Sequence, residues 1–173
     1  YQVVNQQKLV VYDVRGHSVI DVFRGNNVIS ISDTAAQNQG SPIDFAAKNN
    51  RIFAGASLAG NVAFEIPEKE TMMEISNFRR SGNFLAAGGF TLAVIDRNFP
   101  TYKSQKPLPV DFVIFRNNPT VAMDEISRLF TFKKLVFDSS NSRWSMKKWI
   151  EACKKLNIPF YDVSSEGAFI VER

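Results

Sequence analysis

The stretch DFVIFRNNPTVAMDEISRLFTFKKLVFDSS, residues 111–140, decides the fold class of this chain. Its two apolar runs, Asp111–Phe115 and Leu135–Asp138, are typical of buried strands. Between them, Pro119–Phe130 repeats apolar side chains at helical spacing and predicts a helix with one apolar face. That face carries Ala122, Ile126, Leu129 and Phe130. A strand, a helix and a strand in this order predict a parallel pair joined by a right-handed crossover.

The residues that follow extend the same unit. Asn141 or Ser142 is the predicted N-cap of a second helix, because either side chain can accept a hydrogen bond from a free backbone N–H. The predicted core face of that helix contains Met146, Trp149, Ile150, Cys153 and Leu156. Two more predicted strands, Pro159–Val163 and Gly167–Val171, complete a βαβαβ portion of the α/β class.

The N-terminal part is predicted to be rich in β-structure. Apolar runs over Lys8–Asp13, His17–Phe23 and Val28–Asp33 are typical of strands. The turn around Gly25-Asn26 suits a tight hairpin, because both residue types tolerate positive φ. Residues 34–50 lose the alternation and are predicted to be a loop with one helical turn around Ile43–Lys48.

Strand patterns resume after residue 51. The predicted strands are Val62–Ile66, Asn83–Ala86 and Phe90–Asp96, the last two paired across Gly88-Gly89. The connector Arg97–Pro109 contains three prolines and is predicted to be a surface loop.

Composition excludes several classes of protein. The 173 residues are 45% hydrophobic and 22% charged, as in an ordinary globular domain, and not as in a disordered tail or a disulfide mini-protein. Cys153 is the single cysteine, which excludes intrachain disulfides, and it is predicted to be a small core residue. His17 is the single histidine, which excludes sites built on several imidazoles, and it is predicted to be structural. A net charge of +4 weakly favours nucleic acid or anionic headgroups as partners.

Aspartates border several predicted strands. They are Asp13, Asp33, Asp96, Asp111 and Asp138. In sheets covered by helices, ligand sites gather at the carboxyl ends of strands. Carboxylates there can bind a hard cation, or they can cap turns and helices. The spacing alone leaves both interpretations open.

The last predicted helix has a basic face. It carries Arg143, Lys147, Lys148, Lys154 and Lys155, with Trp144 near the helix start. A tryptophan beside basic side chains can stack on a nucleic-acid base or pack against a lipid headgroup. The more common alternative is a solvated charged face with the indole packed at its rim.

Segments at both ends of the chain follow a recognisable order. They are Val11–Ile20, Ile29–Thr34, Val113–Pro119, Leu135–Asn141, Ile158–Tyr161 and Gly167–Phe169. In this order they resemble the C-terminal metallo-β-lactamase-like domain of ComEC-type competence proteins, the channels for DNA uptake. The run Asp138–Trp144 followed by Trp149 is similar to a variant in Bacteroidetes-type bacteria. The resemblance is weak over residues 34–82.

The resemblance implies a degenerate metallo-β-lactamase-like sandwich. In that fold, a His-x-His-x-Asp-His cluster and later His and Asp ligands hold two metal ions. Residues 34–110 contain no histidine, and Arg116-Asn117 stand where the later His-His pair is expected. The residues at the former metal cleft are Asp33, Asp96, Arg116, Asn117 and Asn118. We therefore expect no catalytic residue, no bound metal and no cofactor.

The resemblance also implies a function. Residues 1–173 are expected to form one soluble domain, excised from a polytopic protein of the bacterial inner membrane and placed on the extracytoplasmic side. The expected role is non-catalytic and accessory to the DNA-uptake channel. The expected partners are the rest of the parent protein and, weakly, single-stranded DNA. The expected DNA contacts are Arg116, Asn117 and Asn118, with Arg143, Trp144 and Lys147 beside them.

Two alternatives stay open. One is a nuclease or phosphoesterase that holds Mg²⁺ or Mn²⁺ with the carboxylates of Asp13, Asp33, Asp96 and Asp138. The other is an assembly module that binds only the rest of its own chain.

Overall fold

The continuous apolar runs of the sequence form the central strands of two sheets. The computed structural model describes residues 6–34, 42–65 and 71–173. The strands are β1 (Gln7–Val11), β2 (Val19–Arg24), β3 (Asn27–Ser32), β4 (Ser57–Ala63), β5 (Thr71–Met73), β6 (Phe78–Ser81), β7 (Phe84–Ala87), β8 (Phe90–Ile95), β9 (Leu108–Pro109), β10 (Phe112–Phe115), β11 (Phe130–Thr131), β12 (Lys134–Phe137), β13 (Phe160–Asp162) and β14 (Phe169–Glu172). The helices are α1 (Pro42–Phe53), α2 (Met123–Leu129), α3 (Arg143–Leu156) and α4 (Val163–Glu166). No helix in the described ranges is long and apolar enough to cross a membrane.

The larger sheet contains the predicted βαβαβ portion. Its strand order is β13-β12-β10-β8-β7-β6-β5. Strands β8, β10, β12 and β13 are parallel, whereas β7, β6 and β5 continue the sheet by antiparallel pairing. Helices α2 and α3 make the crossovers on one face.

The smaller sheet has the order β14-β1-β2-β3-β4. Its strands are antiparallel except β3 and β4, which are parallel and joined through α1. The last strand, β14, leaves the βαβαβ portion and pairs with β1. The two ends of the described chain therefore lie side by side in this sheet.

Three apolar clusters separate four layers. The first, with Ile31 and Ile114 at its centre, fills the space between the sheets. The second lies between the larger sheet and helices α2 and α3, and contains Trp149. The third lies between the smaller sheet and α1, and contains Phe23 and Ala47. This helix–sheet–sheet–helix order confirms the predicted α/β sandwich.

Both predicted hairpins are present. Strands β2 and β3 are joined by Gly25-Asn26, and β7 and β8 by Gly88-Gly89. Gly88 has a φ of 53°, and a Cβ there would lie 2.7 Å from a Val22 methyl carbon. Glycine is required at this position, because the turn needs a left-handed residue and the neighbouring strand leaves no room for a side chain.

The prediction for residues 34–50 was wrong in part. Residues 42–53 form the full helix α1 instead of one turn around Ile43–Lys48. The cause is that the side of α1 facing the sheet carries small and polar side chains. The sequence therefore lacks the stripe of large apolar residues that normally marks the buried face of a helix. Residues 35–41 of the predicted loop lie outside the described ranges.

Other boundaries also differ from the prediction. Strand β4 spans Ser57–Ala63, so it overlaps the predicted strand 62–66 only at Val62 and Ala63. Ile66 lies outside the described ranges. Helix α2 begins at Met123, after an extended Ala122, and it ends before Phe130, which pairs with β9. Strands β5, β6, β9 and β11 were not predicted, and β9 lies at the end of the connector that was predicted to be a loop. Val163, predicted as the end of a strand, begins α4 instead.

The core face of α3 is largely as predicted. Met146, Trp149 and Cys153 are buried, and Ile150 is half-buried. The prediction that Leu156 belongs to the core face is wrong. Leu156 is the last residue of the helix, and its side chain is 48% exposed. Asn157 then ends the helix in the left-handed conformation, with a φ of 54°.

Trp149→Ala tests this core. The indole stacks on Phe137 at 5.5 Å between ring centroids and meets Phe115 edge-on at 5.0 Å. We expect the free energy of unfolding to fall by about 3–5 kcal/mol, measured by urea denaturation, because the substitution leaves a cavity. Trp144→Ala is the matched control. Trp144 is 69% exposed, so removing its indole should lower the free energy of unfolding by less than about 1 kcal/mol. Equal losses would contradict this assignment of the helix faces.

Candidate functional site

The carboxyl ends of parallel strands from both sheets meet at one edge of the sandwich, called here the carboxyl edge. Asp33 follows β3, Asp96 follows β8 and Arg116 follows β10. Glu65 lies beyond β4, and Asp138 follows β12. The connection between β1 and β2, residues 12–18, reaches the same edge. Ligand sites gather at such edges because loops there are free to carry functional side chains.

A buried arginine lies at the centre of this edge. The Arg116 side chain is 4% exposed and pairs with the carboxylate of Asp33. Its guanidinium nitrogens also lie 3.4 Å from an Asp96 carboxylate oxygen and 3.7 Å from one of Glu65. The guanidinium carbon stands 4.2 Å from the centre of the Phe64 ring. One cation therefore joins carboxylates from three strands and two sheets.

The turn that carries Glu65 is fixed by a second arginine. Arg80 donates hydrogen bonds to the carbonyls of Ala63 at 2.6 Å and Phe64 at 2.8 Å. Burial alone would raise the pKa of Glu65, but hydrogen bonds from Thr34 and the charge of Arg116 lower it below its usual value. Glu65 therefore takes part in the network as an anion.

His17 lies beside this network. Its Nδ1 is 3.7 Å from a carboxylate oxygen of Asp33, and the same oxygen accepts the backbone N–H of Ser18 at 2.8 Å. The position of His17 near the cleft was not predicted. The hairpin register could have predicted it, because Val19 pairs with Ser32 and the next residues in each direction must also be neighbours.

These side chains do not fit the two-metal centre of the hydrolase fold. In the described ranges, no group of three or more His, Cys, Asp or Glu side chains is arranged to hold a metal ion. The Arg116 guanidinium, which cannot act as a ligand, contacts both Asp33 and Asp96. A cation between those carboxylates would be repelled by a permanent positive charge a few Å away.

Asp138 is fully buried next to this network. It accepts hydrogen bonds from the hydroxyls of Ser18 and Ser140, and from the Ser140 backbone N–H at 3.0 Å. Burial raises the pKa of this carboxyl to about 6. The bond from Ser18 joins the smaller sheet to the larger one, so Asp138 links layers instead of facing a ligand.

Two asparagines form the turn after β10. Asn117 and Asn118 have φ values of 51° and 54°, a conformation that asparagine tolerates better than most residues. The Asn117 N–H donates to the Ser140 hydroxyl at 2.9 Å. Asn118 donates its N–H to the Asn141 side chain at 2.9 Å and accepts the Ser142 N–H at 2.7 Å. The ends of β10 and β12 are thereby locked together.

Of the two candidate caps, Ser142 is the residue that caps α3. Its hydroxyl accepts the backbone N–H of Ser145 at 3.2 Å. Asn141 has another role, since its amide donates to the Phe115 carbonyl at 2.7 Å. The first turn of α3 contains no acidic residue, and Arg143 is its first residue.

A polar cavity of about 450 Å³ opens at this helix start. Hydroxyl, amide and charged side chains line it: Asp13, Arg15, Asn118, Ser139, Ser140, Asn141, Ser142, Arg143 and Ser164. Asp13 is exposed and accepts a hydrogen bond from the Ser139 hydroxyl at 2.5 Å. Arg15 and Arg143 are exposed, and neither makes an ion pair within the described ranges.

The basic face of α3 adjoins this cavity. Arg143 and Lys147 line a neighbouring groove of about 470 Å³. Trp144 is 69% exposed, with the ammonium of Lys148 at 3.4 Å from the centre of an indole ring. The tryptophan and the nearby cations therefore present an aromatic surface and positive charge to solvent.

One expected DNA contact needs correction, and one of the aspartates that border strands lies away from the site. Arg116 is unavailable for a DNA contact, because its side chain is buried among carboxylates. Asp111 lies at the amino end of β10, away from the carboxyl edge, and pairs with Lys133 and Arg173. Burial alone would raise the pKa of Asp111, but hydrogen bonds from the Thr91 N–H and these cations lower it to about 2.

Arg116→Met should destabilise the fold. It leaves Asp33 and Asp96 without their cation, and removing one partner of a buried pair costs about 3–5 kcal/mol. We expect that fall in the free energy of unfolding by urea denaturation, and a smaller fall when Asp33→Asn is added. Arg128→Met is the control, because Arg128 forms an exposed ion pair with Asp124. This substitution should lower the free energy of unfolding by less than about 1 kcal/mol. Additive losses from Arg116→Met and Asp33→Asn would contradict the coupling.

Asp138→Asn tests the buried carboxyl. Because the folded pKa is raised, the protonated group stabilises the fold below about pH 4, the usual value for aspartate, and this stabilisation is lost as pH rises through about 6. The free energy of unfolding of the wild type, minus that of Asp138→Asn, should therefore fall between those pH values and then level off. Denaturation curves across this range measure it. A difference that does not change with pH would contradict the burial of a titrating carboxyl.

Comparison with known proteins supports one assignment. No curated protein and no solved structure matches the chain. The family model described as the ComEC C-terminal domain matches residues 9–173, nearly the whole chain. The protein therefore belongs to the family of ComEC C-terminal domains, which links it to DNA uptake in competence and to a larger inner-membrane protein.

Proposed function

We propose that this chain is a non-catalytic accessory domain of the DNA-uptake channel that holds single-stranded DNA by its phosphates. The observation that carries the proposal is the polar cavity at the start of α3, where Arg15 and Arg143 have no ion-pair partner within the described ranges. Two exposed guanidinium groups beside hydroxyl and amide side chains suit the oxygens of a phosphodiester.

The helix start strengthens this electrostatic argument. The amino end of a helix carries a partial positive charge, so Arg143 at that position is unfavourable in the absence of an anion. An acidic residue in the first turn normally offsets that charge, and α3 contains none there. A phosphate in the cavity supplies the missing negative charge.

Bases are proposed to stack on Trp144. The indole lies next to Arg143 in sequence and is largely exposed, while Lys147 and Lys148 supply further positive charge. Stacking accepts every base, and phosphate contacts carry no sequence information. The proposed binding is therefore independent of DNA sequence.

The nuclease alternative has less support. Asp33 and Asp96 are paired with Arg116, and Asp138 is fully buried. Asp13 is hydrogen-bonded to Ser139. Three of the four carboxylates that would have to bind Mg²⁺ or Mn²⁺ are thus paired or buried, whereas Asp13 is exposed.

The wider arrangement of the protein is also part of the proposal. Residues 1–173 act as one domain of the parent membrane protein, on the extracytoplasmic side, where the cavity can meet incoming DNA. The assembly alternative, contact with the parent chain alone, differs in requiring no DNA affinity.

Substitution of the two cavity arginines tests the proposal. Arg15→Ala/Arg143→Ala should weaken binding of a labelled oligothymidine and lower the slope of log affinity against log salt by about 1.4, since each lost single-strand phosphate contact removes about 0.7. The control, Arg24→Ala/Arg97→Ala, removes the same charge from exposed arginines outside the cavity. This control variant should retain most of the DNA affinity and most of the salt-dependence slope. Fluorescence anisotropy at several salt concentrations measures both.

Trp144 provides an independent readout. Trp144→Ala should weaken binding by about 1–3 kcal/mol, whereas Trp144→Phe should retain most of it, because stacking needs only an aromatic face. Absence of binding at low salt, or equal losses in the two arginine variants, would contradict the DNA-contact proposal and favour the assembly alternative. Cleavage of DNA in Mn²⁺ that is lost on Asp33→Ala would contradict the non-catalytic role.

A further inference from the structure

Helix α1 presents its large apolar side chains to solvent. Phe45 is 78% exposed, Ile52 is 66% exposed and Phe53 is 94% exposed. The side facing the sheet carries the small Ala47, which is fully buried. A surface helix normally buries its large apolar residues and exposes its polar ones. In α1 this order is reversed.

The orientation of α1 is fixed by specific bonds on its inner side. Arg51 donates to both carboxylate oxygens of the buried Asp21, at 2.7 and 2.8 Å, and to the Ser30 hydroxyl at 2.9 Å. Asn50 donates to the Tyr12 hydroxyl at 2.7 Å. Rotating the phenylalanines inward would leave the Asp21 carboxylate buried and unpaired. The apolar side is therefore held outward.

A fourth apolar residue extends this surface. Leu58 in β4 pairs with Val28, whose side chain belongs to the cluster under α1, so Leu58 points to the same side of the sheet. It is 45% exposed. The set Phe45, Ile52, Phe53 and Leu58 is called here the α1 patch. Lys48, on the outer side of α1, adds a positive charge.

We propose that the α1 patch inserts into the interfacial layer of an anionic lipid bilayer. Helices that lie on membranes combine phenylalanine, leucine or isoleucine on one face with basic residues beside them. The outer side of α1 presents this kind of apolar surface with Lys48 beside it, and Asp44 in the first turn of the helix is half-buried. The family places the domain in a larger inner-membrane protein, so a bilayer is always close to it.

The size of the patch favours lipid over a second copy of the chain. Its exposed side chains present roughly 500 Å² of apolar surface. A stable protein–protein interface needs about 800 Å² from each partner. A lipid contact needs no matching partner surface, because binding to a bilayer scales with the apolar area inserted. This inference concerns a different layer from the DNA cavity and does not depend on DNA binding.

Vesicle flotation of the 173-residue chain tests the proposal. We expect the chain to float with vesicles of phosphatidylglycerol and phosphatidylcholine, and more weakly with phosphatidylcholine alone. Phe45→Ser/Ile52→Ser/Phe53→Ser should reduce partitioning at least about tenfold, because binding scales with the apolar area inserted. The matched control, Met72→Ser/Leu156→Ser/Ile170→Ser, replaces three exposed apolar residues elsewhere and should bind as the wild type does. Thermal melting checks that both variants are folded.

A fluorescence measurement identifies the face that enters the lipid. Phe53→Trp should gain a tryptophan signal that brominated lipids quench, whereas Trp144, on the α3 layer, should be quenched little. Quenching of Trp144 alone, or equal losses in the two triple variants, would overturn the proposal. So would a wild-type chain that stays unbound with the anionic vesicles, or a concentration-dependent dimer that the Phe45→Ser/Ile52→Ser/Phe53→Ser variant loses.

Discussion

The buried guanidinium of Arg116 is the interaction on which the carboxyl edge depends. It neutralises Asp33 from the smaller sheet and Asp96 from the larger one, and it lies within reach of Glu65. Carboxylates withdrawn from water repel each other and destabilise a fold unless a cation is close. In a metallo-hydrolase that cation is a metal ion, and here it is a side chain. The shape of the edge therefore depends on a buried side chain that pairs with carboxylates of both sheets.

Neutral polar groups complete the same edge. The Ser18 hydroxyl bonds to Asp138 across the sheets, and the Asn117-Asn118 turn is joined to residues 140–142. A network in which buried polar groups have partners specifies one arrangement of the loops. Among the described residues, Arg15, Arg143 and the basic face of α3 place positive charge at the rim of this edge, where the proposed DNA contact lies.

The two outer helical layers of the sandwich are held to their sheets by different interactions. Helix α3 packs Met146, Trp149 and Cys153 against the larger sheet, so its stability comes from apolar burial. Helix α1 packs small and polar residues inward and is fastened by the Arg51–Asp21 pair. Its large apolar side chains remain outside. The proposed DNA contact and the proposed membrane contact thus lie on different layers, and one can be occupied without displacing the other.

The sequence by itself determined the elements that depend on local pattern. The βαβαβ portion follows from apolar periodicity, and the two hairpins follow from glycines that permit positive φ. Tertiary structure alone decided the burial of Arg116 among carboxylates of both sheets. It also decided that α1 is a helix with its apolar side outward. These features depend on which distant residues share an environment, and a local pattern contains periodicity and turn chemistry but no information on the partner that pairs a charge or covers a face.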